Sequence, residues 1–346
     1  MSGHRHTRGD GPTSDPRPPS RRHQRQHGHT HGAIDRAVLT SQRGIRATKV
    51  SLAALLVTAA LQMIIFVFTG SVALLADTVH NFGDAATALP LWAAFILALR
   101  RPSRRFSYGY GRAEDLAGLI IVLAILATAI IAGYVSVTRL SDPPEVDYIW
   151  AVVVAAVVGF LGNEAVALYR MKVGREIGSA ALVADGHHAR VDGLTSLAVL
   201  FGGIGVWLGY PLADPIVGLV ITVAIFLIVV KSGKSVLSRL LDGVEPEVIE
   251  EVQQVSQATE GVEEVTEVRV RWLGHRLLAE VNIAVSPDLS VETGHQISQE
   301  VHHQLLHHLQ YLSSATIHVD PVGSSGEEYH SLAGHHDQDD ATSHGH

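Results

Sequence analysis

Long apolar runs alternate with short polar joints between about residues 47 and 240, and this pattern predicts a helical membrane domain. About 20 apolar residues cross the hydrocarbon core of a bilayer as a helix, in which every backbone polar group is satisfied internally. Six runs are long enough to span: Val50–Thr69, Ser71–Leu99, Leu116–Val137, Tyr148–Tyr169, a run that starts near Ala180, and a run over about Pro211–Val230.

The rest of the chain divides into three parts. Residues 1–45 and 323–346 are polar and rich in histidine, and their composition predicts disorder. Residues 243–322 have the periodicities of a small soluble domain in the order α-β-β-α-β. The predicted fold class is therefore a membrane bundle of six helices, residues 46–240, followed by a cytoplasmic α+β domain.

The elements of the soluble domain follow from its apolar spacing. Helical spacing predicts helices over Pro246–Gln257 and Val291–Leu309. Alternating apolar positions predict two strands on either side of the Gly274–His275 turn and a last strand over Ser314–Asp320.

Positive charge accumulates in alternate joints of the membrane domain. Arginine and lysine fill residues 43–49, 100–112, 170–175 and 231–239, whereas the opposite joint at Ser141–Asp147 is largely acidic. The positive-inside rule then places both termini in the cytoplasm. We expect an integral protein of the plasma (inner) membrane that is in contact with lipids. The net charge of −8 gives no reason to expect a nucleic-acid partner.

Ionisable residues recur in two of the apolar runs. The second contains "ALLADTVHNFGD" at residues 73–84, and the fifth contains "ALVADGHHARVD" at residues 181–192. His80 and Asp84 are four residues apart, as are His188 and Asp192, so each pair shares one face of its helix. Turned toward each other, the two faces would offer two imidazoles and two carboxylates.

Such a ligand set suits a divalent metal ion. An ionisable group in hydrocarbon costs roughly 2.5–3.5 kcal/mol on insertion scales, and a bound cation would neutralise the carboxylates. The chain has no cysteine, so a tetrahedral site for Zn²⁺ must use imidazole and carboxylate. Without metal the same groups can take up protons, and metal binding then releases them. A site that exchanges metal for protons is the chemical requirement of an antiporter.

Other interpretations of these polar residues remain open. The two pairs could be packing groups that bind no metal, and His187 could be a ligand in place of His188. Asp77 and Asp185 precede the histidines by three residues and are predicted to support the site or the packing rather than to bind the ion. A different class of protein is a membrane metal sensor that signals through its cytoplasmic domain without turnover.

The sequence resembles the cation diffusion facilitator family of divalent metal/proton antiporters. The resemblance covers about residues 45–322 and is carried by "SVALLADTVHNFGD", "YGYGRAEDLAGL", "ADGHHARVDGLTSLAV" and "PLADPIVGL". It implies a homodimer that exports zinc in exchange for protons. It also implies that the protein is a transporter and not an enzyme. It also implies a metallochaperone-like cytoplasmic domain with a zinc site at His295, His318 and Asp320, for which His275 is a candidate fourth ligand.

Overall fold

The computed structural model describes residues 31–69, 88–141, 149–210 and 212–323. Five of its helices are long and apolar enough to cross a membrane. The helices of the membrane domain are α1 His31–Thr69, α2 Ala88–Ala98, α3 Arg112–Arg139, α4 Ile149–Ile177, α5 Ala180–Trp207 and α6 Ala213–Leu240. The short helix α2 is the described part of the second predicted span, and Asp77, His80 and Asp84 lie outside the described residues.

The first helix begins at His31, within the segment whose composition predicts disorder. Part of its polar first half contacts the rest of the bundle. Ser41 and Thr48 are buried, and a Cβ at Gly44 would lie 2.6 Å from the ring of Phe95 in α2. Tertiary packing on these small residues therefore continues N-terminal to the apolar run that begins at Val50.

Helices α4 and α5 pack closely against each other. A Cβ at Gly186 of α5 would lie 2.6 Å from Cγ of Met171 and 3.1 Å from the carbonyl oxygen of Ala167, both in α4. Farther along, a Cβ at Gly193 would lie 3.6 Å from Cβ of Asn163. These small residues bring the ionisable side chains of α5 close to polar groups of α4.

The soluble domain has the predicted order of elements: α7 Pro246–Gln257, β1 Glu264–Leu273, β2 Arg276–Val285, α8 Val291–His308 and β3 Leu312–Pro321. Strand β2 is central, antiparallel to β1 and parallel to β3. Inward-facing Val281 and Ile283 of β2 pack against Val301 and Leu305 of α8 and Val252 of α7. The prediction of a membrane bundle followed by an α-β-β-α-β domain is confirmed.

Candidate metal transport site

His188 and Asp192 lie on successive turns of α5 and are both buried, with 3% and 2% of their surface exposed. Their spacing of four residues puts them on one face, as the sequence predicts. The neighbouring His187 is less buried and points away from that face by helical spacing. Two ligands of the predicted tetrahedral set therefore lie in a closely packed part of the bundle.

The other two predicted ligands, His80 and Asp84, belong to the part of the second span that the structure does not describe. Within residues 31–69, 88–141, 149–210 and 212–323, no three histidine, aspartate or glutamate side chains form a group that could hold a metal ion. The full set of four therefore stays a prediction.

Asp185 pairs with an arginine of α4. Nη1 of Arg170 lies 3.1 Å from Oδ2 of Asp185, and both side chains are almost completely removed from solvent, at 1% and 0% exposure. The same nitrogen lies 3.5 Å from the backbone oxygen of Asp185. A carboxylate that compensates a buried guanidinium is well suited to holding α4 and α5 together, and this supports the packing interpretation of Asp185.

A second ion pair crosses the same helix interface. Nε of Arg190 donates to Oε2 of Glu164 at 3.1 Å, and its Nη2 donates to Oε1 at 2.5 Å, which gives a bidentate contact. Planar bidentate geometry adds orientation as well as attraction. Arg190 is thus engaged by α4 and directed away from His188 and Asp192.

Asn163 is a polar residue in this region that the sequence motifs do not single out. It is buried in α4 opposite Gly193, which follows Asp192 directly. Neither of its amide atoms has a hydrogen-bond partner among the described residues. Buried amides are nearly always paired, so an unpaired one beside a candidate ligand needs an explanation. The only sequence signal is the lone "GNE" within the otherwise apolar fourth span.

The predicted cytoplasmic ligands lie near the far end of the sheet. Nε2 of His318 lies 2.9 Å from Oδ1 of Asp320, both on β3. A Cβ at Gly294 of α8 would lie 3.7 Å from Cγ1 of Val319, whose side chain is on the opposite face of β3 from His318 and Asp320. The adjacent His295 is exposed, with its Nε2 2.9 Å from Nε2 of Gln299, and within the described residues it forms no metal-binding group with His318 and Asp320. An imidazole and a carboxylate already in contact are suitable donors for zinc.

His275 is engaged elsewhere. Its Nδ1 lies 2.7 Å from Oε2 of Glu114 in α3, and its Nε2 lies 3.0 Å from Oγ of Ser41 in α1. Both ring nitrogens therefore face the membrane domain, and a role for His275 beside His318 and Asp320 stays a prediction.

Other histidines lie along α8. The rings of His303 and His307 meet edge to face with centroids 4.4 Å apart. Burial lowers the pKa of His302, and the neighbouring His303 lowers it further to a smaller extent. A lowered pKa keeps the imidazole of His302 neutral at pH 7.

Known proteins resemble nearly the whole described chain. A family described as "Cation efflux transmembrane domain" matches residues 48–241, and one described as "Cation efflux protein, cytoplasmic domain" matches residues 244–322. The probable cation efflux system protein Rv2025c of Mycobacterium tuberculosis is 48% identical over 302 residues, which are 86% of this chain and 91% of that protein.

One more distant relative is named for the metal it exports. The manganese efflux system protein MneP of Bacillus subtilis is 25% identical over 294 residues, 82% of this chain and 99% of that protein. Among solved structures, a single-residue variant of MamM-CTD is 22% identical and has a TM-score of 0.22, covering 22% of this chain and 95% of that one.

Proposed function

Because the chain belongs to the cation efflux family, a family of transporters of divalent metal ions, we propose that it exports zinc from the cytoplasm in exchange for protons. The observation that carries this proposal is the buried pair His188 and Asp192 on a helix that spans the membrane. Alternating access of this one site to the two sides of the membrane would convert binding into transport.

The chemistry of the pair supports exchange of metal for protons. A zinc ligand must be a neutral imidazole or an ionised carboxylate, so protons compete with the ion for the same atoms. Imidazole titrates near pH 6.5, within the range that a cell experiences. The metal-loaded and protonated states would each limit the charge left inside the bundle, which lowers the cost of either state in hydrocarbon.

We propose that His80 and Asp84 complete the transport site. The support is the repeated A-L-x-A-D-x-x-H-x-x-x-D pattern, which presents a second histidine and aspartate at the same spacing as His188 and Asp192. Together the four side chains would form a closed tetrahedral N₂O₂ set of the kind that zinc accepts.

The two imidazole nitrogens of the proposed ligand set support zinc over harder cations as the transported ion. Imidazole favours zinc and other late first-row ions, whereas oxygen ligands suit manganese. MneP, a distant relative, is named for manganese efflux, so the fold alone does not determine the ion. If the proposal is right, zinc will displace bound manganese from the purified protein, and the reverse exchange will need a large excess of manganese.

Proton release tests the proposed exchange directly. Zinc binding to the purified protein, measured by calorimetry at pH 6.5–7, should have an apparent enthalpy that varies linearly with the ionisation enthalpy of the buffer. The variant with both His188→Ala and Asp192→Ala should lose most of that dependence. An apparent enthalpy that is the same in phosphate and Tris buffers would show that no proton leaves, and exchange would be excluded.

We further propose that His295, His318 and Asp320 hold a regulatory zinc ion. The contact between His318 and Asp320 supports this, as does the preference of zinc for imidazole and carboxylate. The cation efflux resemblance implies a cytoplasmic domain that dimerises, so we propose that the ion stabilises a homodimer. We also propose that the protein lies in the inner membrane with both termini in the cytoplasm, on the side where arginine and lysine accumulate.

Replacing His318 by alanine should raise the cytoplasmic zinc concentration needed for half-maximal transport by about 10-fold or more and leave the maximal rate near the wild-type value. His303→Ala, on an exposed part of α8, is the matched control and should change neither quantity. Equal responses of the two variants to zinc would remove His318 from the regulatory site.

A further inference from the structure

The turn between β1 and β2 is inserted into the cytoplasmic end of the membrane domain. Gly274 has a positive φ of 62°, and a Cβ there would lie 2.8 Å from both the carboxylate of Glu114 and the backbone oxygen of Gly111. Only glycine fits such a backbone angle and such a close approach without strain. The next residue, His275, is 3% exposed and contacts the ring of Phe95 in α2 at 5.9 Å between centroids.

Hydrogen bonds join this turn to two helices of the bundle. His275 contacts Glu114 of α3 through Nδ1 and Ser41 of α1 through Nε2. The backbone N–H of Gly274 donates to Oδ2 of Asp115 at 3.2 Å. Glu114 and Asp115 are both buried, so the bonds from the turn satisfy carboxylate oxygens that water does not reach.

Glu114 extends the connection to the helix that carries the transport site. Oγ of Ser179 donates to Oε1 of Glu114 at 2.5 Å, and the same oxygen of Ser179 accepts the N–H of Leu182 at 3.1 Å. Ser179 is thus the N-cap of α5, and its capping geometry is fixed by the carboxylate that holds His275. His188 follows Ser179 by nine residues, about 13 Å along the helix axis.

We propose that the hydrogen-bonded series Ser179–Glu114–His275, called the junction below, is the connection through which the cytoplasmic domain sets the position of α5. The inference rests on the proposed transport function and assigns His275 to positioning rather than to zinc. A displacement of the sheet carries the Gly274–His275 turn with it. The displacement then reaches α5 through Glu114 and Ser179, because all of these groups are buried and closely packed.

Further contacts restrict how the domain can move. Nη1 of Arg239, near the end of α6, donates to the backbone oxygen of Gly178 at 2.5 Å and lies 3.3 Å from that of Gly274. The guanidinium carbon of Arg239 lies 4.0 Å from the centre of the Trp272 ring, and the hydroxyl of Tyr311 donates to the backbone oxygen of Arg175 at 3.1 Å. Arg239 therefore bridges the Gly274 turn and the loop before α5, and Tyr311 bonds the C-terminal end of α4.

Spin-label distances and zinc transport, measured on the same full-length protein, test the junction. The chain has no cysteine, so Lys172→Cys and Asp288→Cys place one label in each domain without other substitutions. Labelled protein is diluted with unlabelled protein so that only distances within one chain are recorded. We expect a narrow distance distribution for otherwise wild-type protein and a clearly broader one after His275→Ala.

Glutamine at position 275 provides the rescue arm. Its side chain can donate to Glu114 and accept from Ser41, so His275→Gln should restore both the narrow distribution and most of the transport rate lost in His275→Ala. A broad distribution in His275→Ala combined with a wild-type rate would overturn the proposal. So would a narrow distribution in His275→Ala.

Ser179→Ala tests the last connection without disturbing His275. The maximal rate should fall about fivefold, the factor that an N-cap typically contributes to an equilibrium, with an unchanged distance distribution and with recovery in Ser179→Thr. Ser290→Ala, which removes the N-cap of α8, is the matched control and should leave the rate unchanged. This arm decides the question even if His275→Ala fails to fold.

Two failures are distinguishable in this design. Wild-type protein that takes up no zinc would refute the proposed function, whereas the distance measurements would still report on the junction. Active wild-type protein with equal rates for Ser179→Ala and Ser290→Ala would refute the junction alone.

Discussion

Replacing His188 by alanine is expected to lower the rate of zinc transport at subsaturating zinc by about 100-fold or more, since even groups that only support a metal ligand contribute 10–100-fold to affinity. The variant should fold and insert normally because an alanine at a buried helical position removes a polar group without burying an unpaired one. Transport into vesicles and zinc affinity by calorimetry measure the two effects separately.

His187→Ala is the matched control for this prediction. The two histidines are adjacent on α5, but only His188 shares a face with Asp192. The account expects His187→Ala to keep at least half of the wild-type rate. If His187→Ala lost transport and His188→Ala kept it, the site would be formed by the other face of α5.

Replacing Asp185 by alanine should destabilise the protein by about 3–5 kcal/mol, because it leaves Arg170 as an uncompensated buried charge. The ion pair spans 3.1 Å between α4 and α5 and is excluded from solvent. Thermal unfolding of the detergent-solubilised protein, with tryptophan fluorescence as the probe, measures the loss.

The double variant Arg170→Met, Asp185→Leu separates charge compensation from metal binding. Apolar residues of similar size often replace a buried ion pair at little cost, so the double variant should recover most of the stability. It should also keep its zinc affinity if Asp185 is a packing residue. A tenfold loss of zinc affinity in the stable double variant would instead identify Asp185 as part of the metal site.

Local periodicity predicted most of the fold. The bounds of α7 coincide with the predicted helix, and those of β1 and β2 follow from alternating apolar residues around the glycine of the Gly274–His275 turn. Such patterns report which residues face a core, and a small α+β domain has one core to face. The apolar runs predicted the membrane helices for a different reason, because their length matches the hydrocarbon core of a bilayer.

Contacts between distant segments were not accessible from these patterns. The pairing of Asp185 with Arg170 depends on how α4 lies against α5, and spacing along α5 alone does not reveal it. The packing of Gly44 in the polar first half of α1 against Phe95 depends likewise on a distant segment. Composition predicted disorder for residues 31–45 because it reflects the polarity of a segment and not its packing contacts with other helices.

His275 illustrates the same limit at a functional position. The sequence makes it a candidate metal ligand because it is a histidine in a domain that resembles metal-binding ones. The structure brings it to Glu114, a residue 161 positions earlier in the chain. Asn163 was missed for the opposite reason, since a single amide in an apolar helix has no motif and its significance comes only from its position opposite Gly193.

Zinc accumulation by sealed vesicles that contain the purified protein tests the central claim most directly. An imposed pH gradient, acidic inside, is the only energy source, and internal pH and internal zinc are recorded together. The account predicts that zinc accumulates against its gradient while internal pH rises, and that both changes are absent with Asp192→Ala and when an ionophore collapses the pH gradient. Zinc binding without accumulation in the wild type would contradict it and would favour a sensor that binds the metal without transporting it.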